Sequence, residues 1–114
     1  MAGIADHITP WENCYRTTQL FGGTTRFVLS TSGHIAALVN PPGNPKSTYH
    51  TNDDQTEDPK AWLTGAQTHQ GTWWTDVADW LNSRCGELVP APKVLGSLRL
   101  PVLTNAPGTY VMDN

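Results

Sequence analysis

The sequence has little of what several protein classes require. Seven Lys and Arg face ten Asp and Glu, so no basic stripe is available to neutralise the phosphates of a nucleic acid. The longest apolar runs fall far short of the ~20 residues that span a membrane. The opening residues MAGIADHI lack the basic and apolar regions of a signal peptide. We therefore predict a cytoplasmic protein with no membrane span and no affinity for nucleic acid.

Cysteine is also scarce. Cys14 and Cys85 are too few for the disulfide framework of a small secreted domain, so we predict two unpaired thiols. The two cysteines do not form a C-x-x-C motif, and the four histidines do not form an H-x-x-x-H motif. The sequence therefore predicts no metal site.

The first 39 residues show the pattern of two strands joined by a helix. AGIA looks like the end of a strand, and TRFVLS, residues 25–30, reads as a buried strand. Between them, Thr9-Pro10 with Glu12 has the form of a capping box and predicts a helix over residues 10–20. Such a crossover implies parallel strands. No further strand is evident, so these residues read as part of a larger α/β domain.

The remaining chain divides into three segments. Residues 40–58 form a long polar, proline-rich connection, which we predict to be a loop. Residues 59–86 carry helical patterns, first over 59–68 and then from Trp73 to a stop at Gly86. Residues 87–114 contain four prolines and are predicted to be an extended tail that wraps a surface.

Asp6 and His34 stand out by their position. Each follows a predicted parallel strand, and working sites of open α/β sheets lie at the carboxyl edge of the strands. If the strands are neighbours, Asp6 could accept a hydrogen bond from one imidazole nitrogen and leave the other free as a general base. Gly33 would let the backbone turn sharply before the histidine. The pattern alone favours a capping aspartate and an ordinary loop histidine over a catalytic pair.

Five stretches carry a resemblance to a known family: ADHITPW, YRTTQLFGG, RFVLSTSGHIAALVNPP, GTWWTDVADWL and APGTYV. Together they resemble the C-terminal part of poly(3-hydroxyalkanoate) synthases, and polyhydroxybutyrate polymerases look most similar. The resemblance covers nearly the whole chain. In that family the Asp of D-H-I-x-P-W and the His of S-G-H-I-A are catalytic. They correspond here to Asp6 and His34.

The resemblance implies an α/β-hydrolase-like fold and an acyltransferase activity. A cysteine in a G-x-C-x-G turn would attack the thioester of a (R)-3-hydroxyacyl-CoA and carry the growing polyester. His34 would take the thiol proton, while Asp6 would orient His34 or help to activate the substrate hydroxyl. No cofactor is implied beyond the coenzyme A of the substrate. The implied partners are the N-terminal part of the synthase, a second copy of the parent enzyme and the polyester granule.

One departure from the family is decisive. The sequence contains no G-x-C-x-G, and neither Cys14 in ENCYR nor Cys85 in SRCGE stands at a strand-to-helix turn. The nucleophile is therefore expected upstream. We predict that the chain is a C-terminal fragment, inactive alone, of an active synthase. His7, beside Asp6, is a candidate for substrate contact, although the pattern favours a loop role for it.

Two other functions remain open from the sequence. The chain could be a non-catalytic module whose tryptophan-rich helix binds a polyester granule or a synthase partner. It could also be a small hydrolase that uses Cys14. The helical spacing of the tryptophans favours packing in the core over a path for an apolar polymer. These tryptophans are Trp62, Trp73, Trp74 and Trp80.

Overall fold

The computed structural model describes residues 1–113, which divide into two compact units, Met1–Arg84 and residues 85–113. In the larger unit short strands and helices alternate along the chain. They are β1 (Ala2–Gly3), α1 (Trp11–Arg16), β2 (Val28–Ser30), α2 (His34–Leu38), β3 (Thr48–Thr51), α3 (Pro59–Thr64), β4 (Gln67–Gln70) and α4 (Trp74–Asn82). The fold is therefore a small mixed α/β domain.

The four strands form one sheet in the order β1-β2-β3-β4. β1 and β2 are parallel, with Ala2 opposite Leu29, as the strand–helix–strand pattern predicts. β3 runs antiparallel to both β2 and β4. The prediction that the chain contains no further strand is therefore wrong. The sheet combines one parallel pair, β1-β2, with two antiparallel pairs, β2-β3 and β3-β4.

The predicted boundaries after residue 40 need three corrections. The segment 40–58, predicted as a loop, contains β3, whose residues alternate between partly buried and buried. The helix predicted over 59–68 ends at Thr64, and residues 67–70 form β4 instead. α4 ends at Asn82, four residues before the predicted stop at Gly86. β3 and β4 are polar, so pairing with neighbouring strands stabilises them more than their own apolar content does.

The helix predicted over residues 10–20 is shorter than expected. α1 begins at Trp11, with Pro10 at its N-cap position, and a 3-10 turn, Thr17–Gln19, follows it. No side-chain hydrogen bond caps α1. The predicted capping box is wrong because the Thr9 hydroxyl donates to Asp6 instead.

α2 lies very close to β1, and a glycine makes this possible. A Cβ atom on Gly3 would lie 2.8 Å from the Ala37 Cβ and 2.8 Å from the Ser32 carbonyl oxygen. Any other residue at position 3 would therefore push α2 away from the strand.

His34 does not lie in a loop, as predicted, but is the first residue of α2. Gly33 does not make the predicted sharp turn, since its φ of −88° and ψ of 177° are extended. The unusual residue is Ser32, whose φ is 152°. Non-glycine residues rarely adopt positive φ, so the chain reverses at a strained serine just before the histidine.

An aromatic cluster forms the centre of the core beside β2. Tyr15 and Trp62 are fully buried, and Phe27 is almost so. The Phe27 ring lies 5.1 Å from each of the other two, edge to face. The Tyr15 hydroxyl donates a 2.6 Å hydrogen bond to the Thr56 carbonyl. This cluster joins α1, β2 and α3 and so supports the strand that leads to His34.

Residues 85–113 contain turns and bends, with a 3-10 turn at Tyr110–Met112. Within the described part of this unit there is no strand or α-helix. That the tail is extended and wraps a surface stays a prediction. The longest described α-helix has nine residues, too few to cross a bilayer.

Candidate active site

Asp6 is held at the carboxyl edge of the parallel strand pair. Beyond β1, the Ile4 amide donates to the Ser30 carbonyl at 2.8 Å, and the Ala5 amide donates to the Ser32 carbonyl at 3.0 Å. The backbone of the first loop therefore follows the end of β2 for two more residues. This pairing brings Asp6 beside the first turn of α2.

The Asp6 carboxylate accepts four hydrogen bonds. One oxygen, Oδ1, accepts from the backbone amides of Ile8 and Thr9, at 2.9 and 3.0 Å. The other, Oδ2, accepts from the Thr9 hydroxyl at 2.6 Å and pairs with the His34 ring. A carboxylate offers about four lone-pair sites, so the acceptor capacity of Asp6 is filled.

His34 meets Asp6 through its Nδ1 atom, which lies 2.8 Å from Asp6 Oδ2. An ionised carboxylate only accepts hydrogen bonds, so Nδ1 must carry the proton in this pair. The Asp6 side chain is 7% exposed, whereas that of His34 is 41% exposed. The pair therefore has a shielded carboxylate and an accessible imidazole whose Nε2 remains available.

The hydrogen bonds also set the charge of Asp6. Donation from the Thr9 hydroxyl, then from the Thr9 amide, and further donation from His34 and the Ile8 amide hold the pKa of the Asp6 carboxyl well below its usual value. Asp6 is therefore ionised throughout the neutral and mildly acidic range.

We expect Thr9→Val to raise the pKa of Asp6, because it removes the Thr9 hydroxyl and keeps the backbone bond. A lowered carboxyl pKa stabilises the folded state above the unfolded-state pKa of about 3.9, and this stabilisation is lost as the pH falls through the folded-state pKa. The unsubstituted chain should therefore have a larger free energy of unfolding than Thr9→Val at pH 7, and this difference should shrink below about pH 4. Urea denaturation at a series of pH values measures this.

Thr64→Val is the matched control, since the Thr64 hydroxyl donates only to a backbone carbonyl, that of Lys60. Its effect on stability should not change with pH. A Thr9→Val effect that is equally constant from pH 2.5 to pH 7 would contradict the link between Thr9 and Asp6.

Within the larger unit, the structure brings Asp6 and His34 together as a hydrogen-bonded pair, which Cys14 does not join. His7 is exposed next to Asp6. Cys14 lies within α1, and its thiol is 3.9 Å from the Thr9 carbonyl. Cys85 is exposed in the smaller unit. Neither cysteine occupies a turn between a strand and a helix.

The tryptophans divide between core and surface. Trp62 is fully buried in the core, as the helical spacing predicts. The prediction of core packing is wrong for the other three, since none of them is buried. Trp73 is partly buried, while Trp74 and Trp80 are 39% and 37% exposed. A helical repeat shows which side chains lie on one face of a helix, but it does not show whether that face packs against the rest of the protein.

Two functional residues were not identified from the sequence. Thr9 was interpreted as a helix cap, yet it is the strongest partner of Asp6. Aspartate commonly bonds to backbone amides two and three residues on, so D-x-x-T directly before a helix was the available signal. Gly3 packs against α2, and its role depends on the close distance between β1 and that helix, which no local sequence pattern reveals.

Among residues 1–113, no group of three or more His, Cys, Asp or Glu side chains is arranged to hold a metal ion. His50 and His69 lie on β3 and β4 rather than at the Asp6–His34 pair, and each contacts a threonine.

Comparisons with known proteins point to one family. No family model matches the chain. Poly(3-hydroxyalkanoate) polymerase 1 of Ectopseudomonas oleovorans is 50% identical over 99% of this chain, and polymerase 2 of the same organism is 47% identical over 98%. The poly(3-hydroxyalkanoate) polymerase subunit PhaC of Cupriavidus necator is 44% identical over 93%.

The chain spans only about a fifth of the length of these curated relatives, 20%, 20% and 18% respectively. The match nevertheless includes almost every residue of the chain itself. The resemblance that the motifs indicate is thus confirmed, and the chain is related in sequence to a segment of the poly(3-hydroxyalkanoate) polymerases.

Proposed function

We propose that this chain supplies the histidine and the aspartate of a Cys-His-Asp acyltransferase that polymerises (R)-3-hydroxyacyl-CoA into polyester and releases coenzyme A. The observation that carries the proposal is the 2.8 Å contact between His34 Nδ1 and Asp6 Oδ2. The curated relatives, all named as poly(3-hydroxyalkanoate) polymerases, support the reaction class.

His34 is suited to the role of general base. Its Nδ1–H is held by Asp6, so Nε2 has a free lone pair on a ring that is 41% exposed. A cysteine thiol brought to Nε2 would give up its proton, and the thiolate would attack the thioester carbonyl. The departing coenzyme A thiolate would then receive the proton from Nε2.

Asp6 is better suited to hold His34 than to deprotonate a substrate. All four of its acceptor sites are used, and its pKa is lowered, which makes it a weak base. Of the two roles that the resemblance allows, we therefore assign orientation of His34 to Asp6. Activation of the substrate hydroxyl then also falls to Nε2 of His34.

The nucleophile is proposed to come from a part of the polymerase outside this chain. Cys14 lies within a helix and Cys85 in the smaller unit, whereas the nucleophile of an α/β-hydrolase-like domain stands in a turn between strand and helix. We propose that the parallel pair β1-β2 belongs to such a domain. The parent would act in the cytoplasm at the polyester granule, as a monomer or a homodimer.

A hybrid enzyme tests this proposal. In it, the chain replaces the matching segment of polymerase 1 of Ectopseudomonas oleovorans, with which it shares 50% identity. We expect the hybrid to release coenzyme A from (R)-3-hydroxyacyl-CoA and to form polyester, and the 114-residue chain alone to release none. Free thiol, measured with a thiol-reactive dye, reports the reaction.

Turnover by the isolated chain that survives His34→Gln would contradict the proposal. So would a folded hybrid that binds substrate but is inactive, with its relative active under the same conditions. Cys14→Ser in the active hybrid should leave turnover intact, because Cys14 has no place in this mechanism.

A second function is favoured by the exposure of Trp74 and Trp80 on α4. These rings could bind a polyester granule without any catalysis. Sedimentation of the chain with granules that persists in the Asp6→Ala/His34→Ala variant and fails in Trp80→Ala would favour this interaction module.

A further inference from the structure

The helix that carries His34 is short and has no capping residue of its own. α2 has five residues, and its C-cap, Val39, is neither glycine nor in the left-handed conformation. The last carbonyls of a helix lack partners within the helix and need donors from elsewhere. A single turn of helix is also marginal without tertiary support.

The donors come from three consecutive residues, Thr72, Trp73 and Trp74, which we call the TWW triplet. The Trp73 indole N–H donates to the Ala37 carbonyl at 2.7 Å, and the Trp74 indole N–H donates to the Leu38 carbonyl at 2.9 Å.

The third donor acts one step beyond the helix. The Thr72 hydroxyl donates to the Asn40 carbonyl at 2.5 Å, and both residues are buried. The Asn40 side chain in turn accepts a 2.6 Å hydrogen bond from the buried Ser47 hydroxyl. The chain leaving α2 is thereby fixed at both its backbone and its side chain.

The triplet is held in place through α4, which begins at Trp74 and bonds to Arg26 close to β2. Asp76, in the first turn of α4, accepts two hydrogen bonds from the Arg26 guanidinium, at 2.6 and 2.9 Å. Arg26 immediately precedes the core residue Phe27 and β2. α4 therefore connects the exit of α2 to the strand whose far end leads into His34.

We propose that the TWW triplet is a positioning device that caps α2 and thereby holds the His34 ring against Asp6. The proposal rests on the proposed function for its catalytic meaning. Five residues of helix rise only about 7.5 Å, so any movement of the capped end is passed on to His34 at the other end. The two tryptophans are used for their directed N–H groups, which explains why they stand at the start of α4 although no residue of that helix is buried.

Nuclear magnetic resonance of the 114-residue chain tests this directly. Trp73→Phe and Trp74→Phe keep an aromatic ring and remove the indole donor. We expect amide exchange at Ala37 and Val39, which close the turn of α2, to accelerate about two- to tenfold in each variant. The fraction of neutral His34 that carries its proton on Nδ1 should fall at the same time.

Two controls separate positioning from general stability. Trp80→Phe removes an indole that does not bond α2, and Phe27→Leu weakens the core away from the helix. Neither should change the His34 tautomer. An unchanged tautomer in both Trp73→Phe and Trp74→Phe, or an equal change in Phe27→Leu, would overturn the proposal.

Thr72 provides a second test if the tryptophan variants do not fold. Thr72→Ser keeps the hydroxyl and should resemble the parent, whereas Thr72→Val should shift the tautomer and speed the exchange. Identical behaviour of these two variants would also overturn the proposal. Because these readouts need no acyl-CoA, they can succeed while the hybrid enzyme is inactive, which would contradict only the proposed reaction.

Discussion

His34→Gln in the hybrid enzyme is expected to lower kcat by about 10²–10⁴-fold, the usual contribution of a general base. Glutamine retains hydrogen-bonding capacity but cannot take a proton from a thiol. Asp6→Asn should cause a loss of the same order, because an amide can donate to Nδ1 and favour the wrong tautomer of His34. KM for the acyl-CoA should change little in either variant, and initial rates of thiol release measure both constants.

His50→Gln is the matched control, since His50 lies on β3 and bonds to Thr68 rather than to Asp6. It should keep kcat close to that of the unsubstituted hybrid. An Asp6→Asn hybrid with more than half of the original kcat would contradict the orienting role of Asp6. A His34→Gln hybrid with that activity would remove His34 from the reaction altogether.

Trp62→Ala is expected to lower the free energy of unfolding by about 3–5 kcal/mol, enough to unfold much of a marginally stable small domain. Trp62 is fully buried, and its ring contacts those of Tyr15 and Phe27 at centroid distances of 5.3 and 5.1 Å. Alanine would leave a cavity where α1, β2 and α3 meet. Urea denaturation followed by circular dichroism measures the change.

Two further substitutions make this result specific. Trp80→Ala, at a ring that is 37% exposed, should cost about 1 kcal/mol or less. Trp62→Phe should cost less than Trp62→Ala, because it keeps most of the ring and removes an indole N–H that has no partner among residues 1–113. Equal losses at positions 62 and 80 would show that the aromatic cluster is not the centre of the core.

The first third of the chain was the most predictable part. An apolar run with β-branched residues and a helix between two such runs are local signals, and β1, α1 and β2 follow them. Parallel pairing of β1 and β2 follows from the crossover alone. That pairing makes Asp6 and His34 neighbours, which is why the sequence could associate two side chains that are 28 residues apart.

The second half was less predictable because its strands are polar. Threonine-rich β3 and glutamine-rich β4 have little apolar alternation, and they form because β3 pairs with the edge of β2 and β4 pairs in turn with β3. Sequence patterns also could not show that Trp73 and Trp74 direct their N–H groups at α2. The two tryptophans and α2 are separated by more than 30 residues, and only the packing of α4 brings them together.

The sequence by itself predicted the resemblance to the poly(3-hydroxyalkanoate) polymerases, the parallel strand pair and the closeness of Asp6 and His34, since these depend on motifs and on rules of chain connection. The tertiary structure decided how the site is held: Thr9 bonds Asp6 instead of capping a helix, Gly3 admits α2, and the TWW triplet holds its far end. The last two of these contacts join segments distant along the chain. Their geometry depends on distances of a few tenths of an ångström, which residue patterns do not encode.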